Sequence, residues 1–233
     1  EERNENVEGA EMYVTLEPCS HFGKTPPCAD KIIEKKISKV FIGTLDPNPL
    51  VAGRGVKKLK NAGIEVEYGI LESGCYKLNE VFMKYIVKKV PFVVMKTGMS
   101  LDGKIATYSG ESKWITGEKS REDVHKLRNE LTGIMVGINT VLKDNPELTC
   151  RIEGGRNPIR IVVDSNLRIP MECKIVNTAE EVETIVATTD KSNLEKKKNL
   201  ENKGVKIIVV SSKNEKVDLK ELMIILGNLK IDS

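Results

Sequence analysis

Short apolar, β-prone runs alternate with helix-patterned stretches along this chain, and that order limits the folds open to it. Met12–Leu16, Lys39–Thr44 and Ile64–Tyr68 read as strands. Between them lie Cys28–Lys36, with Pro26 and Pro27 at its start, and Val56–Asn61, closed by Ala62-Gly63. Both read as helices. Strand, helix, strand, helix, strand argues for a parallel or mostly parallel α/β sheet. Leu45–Gly55 (LDPNPLVAGRG) has loop chemistry throughout.

Ser73–Lys89 reads as one helix, with Leu78, Val81, Phe82, Tyr85 and Ile86 at helical spacing. Lys88-Lys89-Val90-Pro91 breaks it, and two domains are expected, 1–89 and 90–233. The second opens with a strand at Phe92–Thr97. Further strands are expected at Gly133–Ile138, Ile159–Asp164, Thr184–Thr188 and Val205–Val210, and helices at Glu118–Leu131, Lys191–Asn202 and Asp218–Leu229. This unit is also α/β.

A hydrophobic content of 39% suits a soluble globular core. Thirty-seven basic and 34 acidic residues leave a net charge of +3, too small an excess to argue for nucleic-acid or membrane binding. Aromatics at 4% weaken a base-stacking role further. Five scattered cysteines, with no secretory signal and no membrane-length apolar run, point to a reducing, cytoplasmic setting. The chain begins EERNENVEGAEMY without an initiator Met, and Lys230-Ile231-Asp232 looks like the approach to another strand. A fragment cut at both ends is expected.

The loop LEPCSHFGKTPPC, Leu16–Cys28, carries two cysteines. Thiolates bind zinc well, and Cys28 falls where a helix begins, which lowers a thiol pKa. Eight residues can bring Cys19 and Cys28 onto one ion. On spacing alone, zinc ligation and a pair of reduced loop cysteines both stay open. Asp46 and Asn48 in the next loop have the residue types of turn-stabilising geometry.

PCSHFGKTPPC and the later IGTLDPNPLVAGRGVKKLKNAGIEV, Ile42–Val66, closely resemble the deaminase half of the bifunctional deaminase–reductases of riboflavin biosynthesis. The resemblance implies a cytidine-deaminase-like three-layer domain followed by a dihydrofolate-reductase-like α/β domain. It implies that Cys19 and Cys28 ligate zinc, and that Lys24, Asp46 and Asn48 hold the substrate's ribose phosphate. Lys24, a flexible cation, suits a phosphate. The third ligand and the catalytic acid–base Glu belong to a His-Ala-Glu motif expected upstream of residue 1. Glu1, Glu2 and Glu5 are not preceded by His and do not take that role. No catalytic residue is therefore assigned, and the chain as it stands is not expected to deaminate. A Cys19–His21–Cys28 site is an alternative to a loop His21 facing solvent or phosphate; the second is favoured. Glu17 reads as a structural acid.

FVVMKTGMSLDGKIATYSGESKWIT, REDVHKLRNELTGIMVGINTVLKDNPELTCR and IRIVVDS resemble the reductase half of the same family. The resemblance implies NADPH as cofactor and reduction of the opened ribose to a ribityl chain. Ser112, Arg128, Leu148 and Arg151 would line the substrate, with Lys96 beside it. Gly98, Trp114, Thr140, Asp144 and Ser165 would face NADPH, with Asp102 on that side. Plainer roles are Trp114 as a core anchor, Arg128 paired with Glu122 or Glu130, Asp102-Gly103 as a hairpin turn and Asp144-Asn145-Pro146 as a helix stop. His125 is assigned only a helix face, and Cys75, Cys150 and Cys173 are expected to be buried thiols. Between residues 92 and 170 there is no Gly-x-Gly-x-x-Gly and no Gly-Lys-Ser/Thr loop, so neither a dinucleotide-fingerprint nor a P-loop reading follows there.

Three functions follow from these readings. The first is zinc-dependent deamination of a diaminopyrimidine ribosylamino 5′-phosphate, followed by NADPH-dependent reduction of its ribose. The second is a reductase whose first domain keeps zinc as a staple. The third is a non-enzymatic, zinc-stabilised nucleotide-binding module. The expected partner is a small pyrimidine-nucleotide-like substrate, and a homo-oligomer stays open.

Overall fold

The computed structural model describes residues 6–23 and 25–233; Glu1, Glu2, Glu5 and Lys24 lie outside the described residues. Backbone contacts divide the chain into two compact units between Phe92 and Val93. Among the described residues no helix is long and apolar enough to cross a membrane.

The first unit runs β1 (Glu11–Leu16), α1 (Cys28–Glu34), β2 (Lys39–Thr44), α2 (Arg54–Asn61), β3 (Glu65–Tyr68), α3 (Glu72–Leu78) and α4 (Glu80–Lys88). The strands form a parallel sheet in the order β1-β2-β3, with Glu11 beside Lys39 and Lys39 beside Glu65. Parallel pairing requires crossovers, and α1 and α2 supply them. Val40, Ile42 and Val66 pack with Ala29 and Ile32 of α1 and Val56 and Leu59 of α2, so one face of the sheet is the core. On the other face α3 comes so close to β2 that a Cβ on Gly43 would strike the Cys75 sulfur.

The helical pattern over 73–89 is two helices rather than one. Asn79 ends α3 and precedes α4, and its side-chain amide donates to the Cys75 carbonyl at 2.8 Å. An Asn side chain that competes for backbone partners favours such a break.

The second unit runs α5 (Glu118–Glu130), β4 (Gly133–Gly137), α6 (Ile138–Asp144), β5 (Ile159–Val163), α7 (Lys174–Asn177), β6 (Thr184–Thr188), α8 (Leu194–Glu201), β7 (Val205–Val209), β8 (Ser212–Lys213), β9 (Lys216–Val217) and α9 (Leu219–Asn228). Strands β4-β5-β6-β7 form a parallel sheet, and β8-β9 a small antiparallel hairpin. Both faces of the sheet are covered. Val162 and Val186 pack against Ile138 and Val141 of α6, Ile175 and Val176 of α7, and Leu200 of α8. Ile161, Ile185 and Ala187 pack on the opposite side against Leu222 and Leu226 of α9. That is why these strands are largely apolar, as strands buried on both faces are.

One residue breaks the pattern. Arg160, in the middle of β5, is fully buried. Its guanidinium donates to the hydroxyls of Thr184 and Thr178 and to the carbonyls of Glu147, Ile175, Thr178 and Val182, at 2.8–3.2 Å. No carboxylate takes part among the described residues. Burial accordingly pulls its pKa below the ordinary arginine value. Arg160 ties β6, α7 and the segment before Leu148 to the sheet.

The run Phe92–Thr97 forms no strand. Val93, Val94 and Met95 are exposed, and among the described residues no neighbouring strand offers the run a ladder. Asp102-Gly103 forms a turn closed by the Ser100 and Lys104 backbones, without flanking strands. Ile138 opens α6 rather than ending β4.

Candidate functional site

In the first unit the chain leaves β1 through Glu17-Pro18-Cys19. Glu17 is buried, and its carboxylate accepts three backbone N–H groups: Asp46 at 3.2 Å, Gly53 at 2.9 Å and Val56 at 3.1 Å. It fixes the loop between β2 and α2 against the end of β1. Gly53 enters α2 with φ 81°, a left-handed conformation that glycine adopts without strain. Gly55 lies so close to the Pro18 carbonyl that it has no room for a Cβ.

Cys19 and Cys28 face one another. The Cys28 N–H donates to the Cys19 sulfur at 3.2 Å, and the Ala29 N–H to the Cys19 carbonyl at 3.1 Å. The hydrogen bond between the thiols, with burial second, pushes the Cys28 pKa up. His21 Nδ1 is buried without a partner among the described residues. Asp46 is buried, and burial pushes its carboxyl up while the Asn48 N–H, 2.8 Å away, holds it down; Glu17 adds to the rise and His21 opposes it. Asp46 and Asn48 both have turn geometry: Asn48 Oδ1 accepts from the Leu50 N–H at 3.1 Å. Their remaining acceptor capacity is what could meet a sugar. Lys24 lies outside the described residues.

In the second unit Arg128, Leu148 and Arg151 are near neighbours. Arg128 donates to the Thr149 carbonyl at 2.8 Å, while its Nε is buried without a partner among the described residues. It pairs with neither Glu122 nor Glu130. Burial, then the charge of Arg151, lowers its pKa. His125 accepts the Arg151 backbone N–H on Nδ1 at 3.2 Å, and burial followed by Arg128 and Arg151 holds its pKa down. Leu148, buried with φ 55°, turns the chain between them. Two guanidiniums, one with an idle donor, form a locus suited to an anion.

Lys96, Gly98, Asp102, Ser112 and Trp114 lie on the irregular segment before α5. The Lys96 ammonium comes near Gly98. Asp102 accepts from the Ser100 hydroxyl. Trp114 is 71% exposed, not a core anchor, and the Arg121 guanidinium stacks on it at 4.5 Å. Ser112 and Asp144 are exposed, with no side-chain partner among the described residues.

Thr140 and Ser165 share a groove of about 730 Å³ at the carboxyl ends of β4 and β5. Open parallel sheets bind ligands at that edge. The Ser165 hydroxyl accepts the Val217 N–H at 3.0 Å and retains its own proton for a ligand. Arg160 and the buried Asp164 were not anticipated as important. A lone Arg inside an apolar strand was the available signal for the first.

Two facing sulfurs fit two positions of a zinc site, and no group of three His, Cys, Asp or Glu donors occurs among the described residues. The groove, with hydroxyls at Thr140 and Ser165, fits part of a dinucleotide.

Residues 91–233 match the model of the RibD C-terminal domain, and residues 1–44 match the cytidine and deoxycytidylate deaminase zinc-binding region. The chain is 51% identical over 229 residues to riboflavin biosynthesis protein RibD of Actinobacillus pleuropneumoniae, covering 98% of this chain and 61% of that one. It is 49% identical over 219 residues to the RibD protein of Aquifex aeolicus, covering 94% and 61%. A Thermotoga maritima structure described as a diaminohydroxyphosphoribosylaminopyrimidine deaminase/5-amino-6-(5-phosphoribosylamino)uracil reductase superposes with a TM-score of 0.84 at 42% identity, over 100% of this chain and 62% of that one. Acinetobacter baumannii RibD gives 0.82 at 39%, over 96% and 61%. The chain spans about three fifths of the length of these relatives.

Proposed function

The chain belongs to the family defined by the RibD C-terminal domain, and on that premise we propose that it works in riboflavin biosynthesis as part of a deaminase–reductase. The reaction is hydrolytic removal of ammonia from a diaminopyrimidine ribosylamino 5′-phosphate, then NADPH-dependent reduction of the ribose to a ribityl chain. The observation that carries this is the family match over residues 91–233, joined in one chain to a deaminase zinc-binding region over 1–44.

In the first unit Cys19 and Cys28 would hold zinc, which when bound supplies an activated water for the deamination. Glu17 keeps the two loops in register through its three backbone bonds. Lys24 would take the phosphate, and Asp46 and Asn48 the ribose.

In the second unit Arg128 and Arg151 would bind the substrate phosphate. Leu148 would pack against the substrate, and Ser112 and Lys96 would bond its polar edge. Gly98, Asp102, Trp114, Thr140, Asp144 and Ser165 would hold NADPH, which supplies the hydride while the protein orients it. The lowered pKa of His125 keeps it neutral beside the two arginines, so it adds no charge to their anion site.

The test supplies 5-amino-6-(5-phosphoribosylamino)uracil and NADPH to the protein made from the complete reading frame that encodes this chain. Loss of NADPH absorbance with formation of the ribityl product is expected. Arg128→Gln is expected to raise the KM for substrate by roughly tenfold or more and to leave the KM for NADPH unchanged. No NADPH loss with this substrate would overturn the proposal.

A further inference from the structure

The anion locus of the second unit depends on a stretch without regular structure. Residues 147–151 lie in neither helix nor strand, so no backbone ladder holds them and their polar groups need side-chain partners. The Glu147 carbonyl accepts from Arg160 at 3.2 Å, and the Thr149 carbonyl from Arg128 at 2.8 Å. The Cys150 N–H donates to Asn157 Oδ1 at 2.9 Å, and the Arg151 N–H to His125 Nδ1 at 3.2 Å. The ion pair of Arg151 with Glu147 is 3.5 Å long and exposed on both sides, and Lys174 shares the same carboxylate. Such a pair adds little. The bond from its backbone to His125 is what fixes Arg151.

His125 and Arg128 stand three residues apart on α5 and so share one face of it. From that face Arg128 donates to the Thr149 carbonyl, and His125 accepts from an N–H two residues further on. A protonated imidazole has two donors and no acceptor, so the second bond requires the neutral ring with its proton on Nε2. Burial, then the charges of Arg128 on its own helix and Arg151 on the loop, disfavours the charged ring. A lysine or arginine at this position would offer no acceptor. A carboxylate could accept the N–H, but it would compete with a bound anion for both guanidiniums. The position calls for an uncharged acceptor.

We propose that His125 is a positioning residue for the substrate phosphate: its neutral Nδ1 holds the Arg151 backbone so that Arg151 and Arg128 meet one anion, a role that rests on the reading of those two arginines as the phosphate site. His125 acts through Arg151 and not by touching the anion. The phosphate is not the group that reacts, so it is bound alike in the ground and transition states. Displacing Arg151 therefore weakens substrate binding and leaves the reductive step itself intact.

The test compares wild type, His125→Leu, His125→Gln and Arg128→Gln in the complete-frame protein, with 5-amino-6-(5-phosphoribosylamino)uracil and NADPH. His125→Leu removes the acceptor and is expected to raise the KM for this substrate roughly fivefold, with kcat and the KM for NADPH within about twofold of wild type. His125→Gln, whose amide oxygen can accept the same N–H, is expected to bring the substrate KM back to within about twofold of wild type. A substrate KM in His125→Leu equal to that of wild type overturns the proposal. A lower kcat at unchanged substrate KM does the same, because it marks loss of folded enzyme alone. So does a His125→Gln protein as impaired as His125→Leu. Imidazole 15N spectra of the 233-residue chain, which has two histidines, test the geometry on wild type, with His125→Gln giving the assignment. The Nε2–H tautomer of His125 is expected at neutral pH, and an Nδ1–H tautomer overturns the proposal however the variants fold. If Arg128→Gln leaves the substrate KM unchanged, the phosphate reading itself falls, and the role of His125 with it.

Discussion

Two helical glycines of the first unit should respond in opposite directions to the same substitution. Neither has a positive φ, so alanine at either gains helix propensity of up to ~1 kcal/mol. At Gly74, in α3, a Cβ meets nothing within 4 Å, so Gly74→Ala should stabilise by up to that amount. At Gly55, in α2, the Cβ runs into the Pro18 carbonyl and lies 3.1 Å from Glu17 Oε1 and 3.2 Å from Glu17 Cγ. The obstacle is backbone, pinned by Glu17 and followed at once by Cys19. Overpacking of this kind costs about 1–3 kcal/mol. Moving α2 away also breaks the 3.1 Å bond from Val56 N–H to Glu17, a hydrogen bond to a charged group worth about 1.5–3 kcal/mol. Set against the propensity gain, Gly55→Ala should lose about 2–5 kcal/mol. For a unit of this size that lowers Tm by roughly 10 °C or more. Circular dichroism melts of wild type, Gly55→Ala and Gly74→Ala measure it. A Gly55→Ala protein as stable as wild type would refute the account of how Glu17 and Gly55 fix the cysteine loop.

Arg160→Met should destabilise the second unit by about 3–5 kcal/mol in urea unfolding, because it strands several buried oxygens at once; Arg160→Lys, with three donors for six acceptor contacts, should fall between. Asp46 has a folded pKa raised above 3.8 by burial. Its contribution to stability is therefore present below the unfolded value and lost as pH rises through the raised folded one. Asp46→Asn keeps the acceptor for Asn48, so it should exceed wild type in stability at neutral pH and converge with it in acid. His125 has the opposite sense: its folded pKa lies below 6.5, so its contribution is present above that value and lost as pH falls toward the lowered one. His125→Gln should flatten the pH dependence of unfolding in that window.

The parallel order of the first sheet was legible because strand runs and helix patterns alternate in sequence, the second unit was legible only as α/β, and β2, written Lys39–Thr44, has the bounds read from its apolar run. Phe92–Thr97 was misread because a β-prone run becomes a strand only beside another strand, which sequence spacing alone does not reveal. Loop chemistry alone left the pairing of Cys19 and Cys28 open and only the family resemblance joined them; in the fold the Cys28 N–H meets the Cys19 sulfur. Glu17 was legible as a structural acid, but not its three backbone partners, which come from a loop more than 25 residues away. Arg160 was hidden for a related reason: its acceptors are mostly carbonyls, and every residue type carries one.

The central claim is that one protein deaminates and then reduces the same molecule. The ratio of ammonia released to NADPH consumed tests it most directly, measured on the complete-frame protein with zinc and the diaminopyrimidine ribosylamino 5′-phosphate. The account predicts one ammonia for each NADPH, with ammonia appearing first. NADPH consumed without ammonia, or neither change, would contradict it.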